Sequence, residues 1–270
     1  FTPLCDLDLL GFNLSHELLY TNMLHILDLG NIPLLRHERT EDDPVIIAGG
    51  ECVSNPFPVA DFVDLFFIGE GEHGFTEILA SLAQCKRAGL PRAETINKLG
   101  QIEGVLVSSG YSFNYAGLNI STDGLKSVAK RVVKEGSMWQ ASQPPVPNIR
   151  ISQERAVVEI ARGCFNLCKF CHAGYYNMPY RPCGCDDVSA EIFRQLENTG
   201  YDEVTLNSLS SGDYKDIVKL LNNVMPRLTE EGISVSLPSL KVDKNTLPVI
   251  ELISNLRKTS LTFAVESASS

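Results

Sequence analysis

Short apolar runs alternate with stretches of helical period along most of this chain, and a chain that alternates in this way has few folds open to it. Asp8 to Asn13 reads as a strand leading into a helix from about Ser15 to Leu29, on which Leu19, Met23, Ile26 and Leu27 share a face. Val45 to Ala48 and Asp64 to Ile68 read as buried strands, Phe75 to Arg87 as a helix, and Gly104 to Val107 as a weaker strand. From Ala156 the rhythm grows more regular, with strands expected at Ala156 to Ile160, Glu203 to Asn207, Ile233 to Leu237 and Leu261 to Val265. The last three recur at roughly thirty-residue spacing, the size of a βα unit. Between them Val188, Ile192 and Leu196 share a helix face, as do Tyr214, Ile217 and Leu221, and as do Val249, Ile253 and Leu256. Pro248 suits the first turn of the last helix. Strands joined by helix-length crossovers pair in parallel, so the expected class is α/β, with a parallel sheet or barrel in the second half.

Residues from Ser108 to Ile151 are less regular and close on Pro144, Pro145 and Pro147, which predicts a linker. Lys126, Lys130, Arg131 and Lys134 within it read as a solvated basic face rather than a phosphate site. The expected organisation is a first domain over 1–107, a linker over 108–151 and a second domain over 152–270. The chain opens on Phe1, already at the approach to a strand, and ends directly after another. It therefore reads as a piece of a longer protein, with the first domain truncated at its start and the second at its end.

Eight cysteines in 270 residues could signal disulfides, but a chain of this size needs no staples. Three of them cluster in ARGCFNLCKFCHAG, with three and then two residues between them, directly after an expected strand. Structural zinc takes four ligands and disulfides need even counts, so three thiolates suit neither. Iron-sulfur clusters normally take four cysteines, and a cubane held by Cys164, Cys168 and Cys171 alone keeps one iron open. Zinc binding and plain burial remain the alternatives. His172 reads as a packing or supporting residue, Cys183 and Cys185 in RPCGCDD as ordinary loop cysteines more readily than a further ligand pair, and Cys5, Cys52 and Cys85 as small apolar residues.

The Cys-x3-Cys-x2-Cys spacing after a strand resembles the radical S-adenosylmethionine superfamily. GFNLSHELLYTNMLHILDLG, VIIAGGECVSNP, FFIGEGE and EGVLV resemble the Rossmann-like, cobalamin-binding-type domain that precedes many such domains. Together with ARGCFNLCKFCHAGYY and SLPSLKVD, they make the chain similar to a bacterial subgroup of B12-binding-domain radical proteins. The resemblance implies a Rossmann-like first domain followed by a partial radical (β/α) barrel. It also implies a [4Fe-4S] cluster on Cys164, Cys168 and Cys171 that reductively cleaves S-adenosylmethionine to a 5′-deoxyadenosyl radical, with an electron donor such as flavodoxin or ferredoxin. Phe170 would pack near the adenine. Ser210 and Ser211, with Asp213, stand where many members carry a Gly-Gly-Glu-type motif, from which this chain departs; a helix cap is the plainer reading. Ser236, with Ser239 and Lys241, and then Glu266 in AVESASS would meet the ribose or the methionine moiety. Gly49, Gly50, Gly69 and Gly71 would lie along a corrin tail if cobalamin binds; tight turns in an open sheet are the equal alternative. The Asp-x-His-x-x-Gly loop of base-off cobalamin domains is absent from the sequence.

The reactions left open are deoxyadenosyl-radical chemistry such as methylthiolation or rearrangement, and cobalamin-dependent methyl transfer. A non-catalytic metal-binding scaffold is the alternative of another class. A nucleotide-binding oxidoreductase is weak, since no Gly-x-Gly-x-x-Gly opens a helix after a first strand. With 33 acidic against 23 basic side chains and a net charge of -10, nucleic-acid binding is not indicated by charge. No apolar run approaches the roughly 18 to 20 residues that span a bilayer, so a cytoplasmic protein without membrane contact is expected.

Overall fold

The computed structural model describes residues 1–124, 127–133, 143–240 and 246–254. They fall into two compact units, Phe1–Val133 and Lys134–Ser270, both mixed α/β with parallel strands.

The first unit is built on a four-stranded sheet in the order β1 (Leu9–Asn13), β2 (Val45–Gly49), β3 (Leu65–Phe67) and β4 (Val105–Val107). β1, β2 and β3 run parallel, while β4 pairs antiparallel with β3. The β2 side chains are buried on both faces, which is why this strand reads as an unbroken apolar run. Ile46 and Ala48 pack with Met23 and Leu27 of α1 (Leu19–Leu29). Val45 and Ile47 pack on the opposite face with Ile78 and Leu82 of α2 (Gly71–Arg87) and Leu99 of α3 (Arg92–Leu99). Ile26, expected on the inner face of α1, is 39% exposed.

Three departures from the expected pattern share this unit. The helix α3 follows Pro91 and was not expected. It also explains the reversal of β4: two successive helices, rather than one, turn the chain around before it re-enters the sheet. In the segment expected as linker, β5 (Ser112–Ala116) and β6 (Asn119–Asp123) form an antiparallel hairpin, and Arg131 bridges in parallel to Gly69.

Opposite edges of this sheet are built differently. At the amino edge, Asp64 accepts hydrogen bonds from the Ile46 N–H (2.8 Å), Arg39 (3.1 Å) and Arg92 (2.7 Å) through one carboxylate oxygen. The Arg39 and Asp64 side chains are 0% and 4% exposed, and Arg39 also donates to the carbonyls of Pro33, Leu34 and Phe62, so the buried charges are matched. At the carboxyl edge the strands run out into glycines.

In the second unit, β7 (Ala156–Glu159), β10 (Glu203–Asn207) and β11 (Ser234–Ser236) form a parallel sheet with β10 central. Two-residue strands β8 (Ala161–Arg162) and β9 (Arg181–Pro182) pair antiparallel beside it. Val158, Val204, Leu206 and Val235 are fully buried with Val188, Ile192 and Leu196 of α5 (Cys185–Thr199) and Ile217, Leu220, Leu221 and Val224 of α6 (Ile217–Glu230). Tyr214 joins this core from the loop before α6. A short α4 (His172–Tyr176) and α7 (Thr246–Ser254), with Val249 buried, complete the described elements. The strand expected at 261–265 lies outside the described residues.

Register and alternation place Val157, Glu159, Glu203, Thr205, Asn207, Ser234 and Ser236 on the other face of this sheet. The face is polar but for Val157, which is 50% exposed. Among the described residues no helix is long and apolar enough to cross a membrane.

Gly69 has φ +131°, and a Cβ there would meet the Arg131 backbone, with its nitrogen at 2.6 Å. Gly71, two residues on, has nothing within 4 Å of the same position. Gly69→Ala is expected to cost about 1–3 kcal/mol, whereas Gly71→Ala, at the first turn of α2, leaves stability unchanged or raised. Chemical denaturation of the two variants checks the contrast.

Candidate functional site

The three-cysteine loop leaves the sheet at the carboxyl end of β7, by way of β8, and returns through α4. Its shape depends on two unusual backbone positions. Gly163 has φ +81°, and a Cβ there would come within 2.5 Å of the Pro179 carbonyl and 2.6 Å of the Asn177 carbonyl, so only glycine lets the loop lie against the following turn. Leu167 adopts φ +50° without that freedom. Phe165 meets Tyr180 edge to face at 5.0 Å, and the Tyr175 hydroxyl donates to the Leu167 carbonyl at 3.0 Å. The loop is thus held from outside as well as by its own backbone.

The sulfurs of two cysteines already receive N–H groups. Asn166 Nδ2 donates to Cys164 Sγ at 3.2 Å, and the Gly174 N–H donates to Cys171 Sγ at 3.3 Å, where Cys171 caps α4. The Cys171 N–H donates to the Cys168 carbonyl at 3.0 Å, and Cys168 itself is exposed. Donors aimed at sulfur stabilise thiolate and are the usual support of iron-bound cysteines. Among the described residues no three Cys, His, Asp or Glu side chains converge on a single metal ion. A cubane asks for a different geometry, since each thiolate takes a different iron. The donor set, all sulfur and hydrogen-bonded at two positions, fits such a cluster.

Asn166 also donates to Asp213 Oδ2 at 2.6 Å, and Ser210 Oγ donates to the same oxygen at 2.7 Å. This joins the cysteine loop to the loop after β10. Ser211 is fully buried: its hydroxyl donates to the Leu206 carbonyl at 3.2 Å and pairs with Ser208. The expected contact of Ser211 with a cofactor therefore gives way to a role within the turn, the reading closest to a cap. Ser236 lies half-buried on the polar sheet face. Phe170 is 71% exposed. Glu266 and Lys241 lie outside the described residues.

Sequence reasoning passed over Asn166, Glu159, Arg162 and Thr205. Arg162 holds Glu159 by two hydrogen bonds, at 2.9 and 2.8 Å, across the start of the loop. The buried Thr205 hydroxyl on the polar face has no hydrogen-bond partner among the described residues. Strand alternation could have pointed to Thr205; nothing local marks Asn166. Cys183 and Cys185 are not in an exposed loop: Cys185 is buried at the start of α5, its thiol pushed up in pKa chiefly by burial, and Cys183 donates to the Glu159 carbonyl at 3.5 Å. His172 stacks obliquely on Tyr176, with ring centres 5.8 Å apart. Burial also raises the Tyr180 hydroxyl pKa, with the Asp213 carboxylate and Cys164 adding to it.

In the first unit, Gly49, Gly50, Gly69 and Gly71 line one cleft of about 380 Å³ with Gly11, Phe12, Asn13, Ile47, Phe67 and Phe75. It lies at the carboxyl edge of β1, β2 and β3, where open parallel sheets take ligands.

The family described as "Radical SAM proteins, N-terminal" matches residues 1–108, ahead of a loop with the Cys-x3-Cys-x2-Cys spacing. These matches support membership of the radical S-adenosylmethionine superfamily. The uncharacterised protein MJ0966 of Methanocaldococcus jannaschii is 28% identical over 268 residues, 98% of this chain and 50% of that protein. The tRNA-2-methylthio-N(6)-dimethylallyladenosine synthase of Clostridium botulinum (strain Hall) is 24% identical over 201 residues, 70% of this chain and 44% of the synthase. The chain therefore spans about half the length of the curated relatives it matches. The radical S-adenosylmethionine methyltransferase TsrM from Kitasatospora setae, solved with cobalamin and a [4Fe-4S] cluster, superposes with a TM-score of 0.51 at 14% identity, over 91% of this chain and 47% of TsrM. At that identity the likeness is one of fold.

Exposure separates the cysteines of this chain. In the metal-free protein, iodoacetamide is expected to label Cys168 at least about tenfold faster than Cys52 or Cys185, which are buried and whose thiols are raised in pKa chiefly by that burial. Peptide mass spectrometry over a time course checks this; equal rates would contradict it.

Proposed function

We propose that the protein is a radical S-adenosylmethionine enzyme whose Cys164, Cys168 and Cys171 hold a [4Fe-4S] cluster. The observation that carries this is the three-cysteine loop at the carboxyl end of β7, with N–H donors aimed at two of its sulfurs. When bound, the cluster supplies the electron that splits the sulfonium of S-adenosylmethionine to methionine and a 5′-deoxyadenosyl radical. The chain's own residues hold and shield. Gly163 and Tyr175 shape the loop, and Asn166 and the Gly174 N–H support the thiolates. The polar face of β7, β10 and β11, with Ser236 and Thr205, offers hydroxyls to a polar ligand. Phe170, exposed between the last two cysteines, offers an aromatic surface for the adenine. Ser210 and Glu266 remain assigned to the same ligand, Ser210 through the carboxylate it shares with Asn166. The second unit is read as part of a (β/α) barrel over 152–270, and an electron donor such as flavodoxin or ferredoxin in the cytoplasm completes the proposal.

Anaerobic reconstitution of the full-length protein, reduction and measurement of 5′-deoxyadenosine test it. Cys168→Ala is expected to abolish product; equal production by the variant would refute the site.

A second reading, that the first unit is a Rossmann-like cobalamin-binding domain over 1–107 and the reaction a cobalamin-dependent methyl transfer, is favoured by the single cleft that gathers Gly49, Gly50, Gly69 and Gly71. The methylthiotransferase named among the relatives keeps methylthiolation as the competing reaction. Cobalamin titration of the full-length protein separates them. Gly71→Trp places a bulky side chain where a Cβ meets nothing. It is expected to weaken cobalamin at least about tenfold, roughly 1.4 kcal/mol, with the melting temperature unchanged. No corrin absorbance retained by the unsubstituted protein would reject this reading.

A further inference from the structure

We infer that Asn166 and Asp213 act as a positioning pair that ties the cysteine loop to the loop after β10 and sets the reduction potential of the cluster through Cys164. The inference rests on the proposed cluster. Its basis is one amide with two partners: Asn166 Nδ2 lies 3.2 Å from Cys164 Sγ and 2.6 Å from Asp213 Oδ2. A side-chain amide on a loop would turn freely; the carboxylate, itself held by Ser210 Oγ at 2.7 Å, fixes its direction. Asp213 belongs to a short helical turn whose base is buried, with Ser211 fully enclosed and Tyr214 1% exposed. The Tyr214 hydroxyl donates to the Cys183 carbonyl at 2.9 Å. The carboxylate is therefore anchored to the core of the unit, and Asn166 carries that anchorage to the sulfur.

The chemical consequence follows from charge. Reduction adds an electron to the cluster and makes its sulfurs stronger hydrogen-bond acceptors, so an N–H donor at a cysteine sulfur stabilises the reduced form and raises the potential. Asp213 does not touch the sulfur: besides the direct pull of its charge, which lowers the potential whatever its partner, it acts through the amide whose direction it fixes. That dependence has a signature: two residues acting in series are not additive.

The test is a dithionite titration of the full-length, anaerobically reconstituted protein, followed by electron paramagnetic resonance. Asn166→Ala is expected to shift the midpoint to a more negative value. Asp213→Ala is expected to lie at a more negative midpoint than Asp213→Asn, which loses the same charge but keeps an oxygen that accepts from Asn166, and in an Asn166→Ala background the two Asp213 variants are expected to coincide. Should Asn166→Ala fail to fold, as judged by thermal melting, Asn166→Leu keeps about the volume, removes the donor without adding a charge and is read in the same way. An unchanged midpoint in the Asn166 variant, or a difference between the two Asp213 variants that persists in the Asn166→Ala background, overturns the inference while leaving the cluster assignment standing. If the unsubstituted protein assembles no [4Fe-4S] cluster, both fall.

Discussion

Parallel pairing obliges a strand to return by a crossover before the next one begins, so successive strands leave the sheet along the same edge. β1, β2 and β3 obey this in the first unit, and β7, β10 and β11 in the second. What the chain places after each strand then gathers at one edge, however far apart the segments lie in sequence. The glycine cleft and the cysteine loop are two outcomes of that single constraint.

The two edges of the first sheet divide stability from access. At the amino edge Asp64 receives two arginines and a backbone N–H in a buried setting, where removing one partner would strand the others. At the carboxyl edge the lining residues are mostly glycine and aromatic, and the cleft stays open. The second sheet divides its two faces instead. Its apolar face is sealed by α5 and α6, and its polar face carries Glu159, Thr205, Asn207 and Ser236. The buried Thr205 hydroxyl on that face lacks a partner among the described residues, so a polar group placed there would offset the cost of its burial.

Much of this was legible in residue order. The strand over Glu203 to Asn207 falls where its apolar pattern places it, and Val188, Ile192 and Leu196 are buried together as their spacing requires. Local pattern failed where direction depended on an element it did not detect. Without α3, β4 reads as one more parallel strand; with it, a second helix adds one more reversal and β4 pairs antiparallel. The hairpin of β5 and β6 was hidden for a different reason. Its two strands are only five residues each, and their pairing comes from a short turn through Gly117 and from each other. Ser211 shows the same limit at the site, for a serine after a strand can face a ligand or the core, and only the packing around it decides.

The sequence by itself determined the class of the fold, the three cysteines and their spacing, and the glycines at the strand ends, since each follows from neighbours along the chain. The resemblance to the radical S-adenosylmethionine superfamily was readable from those same residues. Only the tertiary structure decided what stands beside them. Asn166 lies 47 residues from Asp213, and Gly69 owes its constraint to Arg131. Contacts of that span depend on the closing of loops and sheets, which no local periodicity encodes, and they are what turns a cysteine spacing into a shaped and supported site.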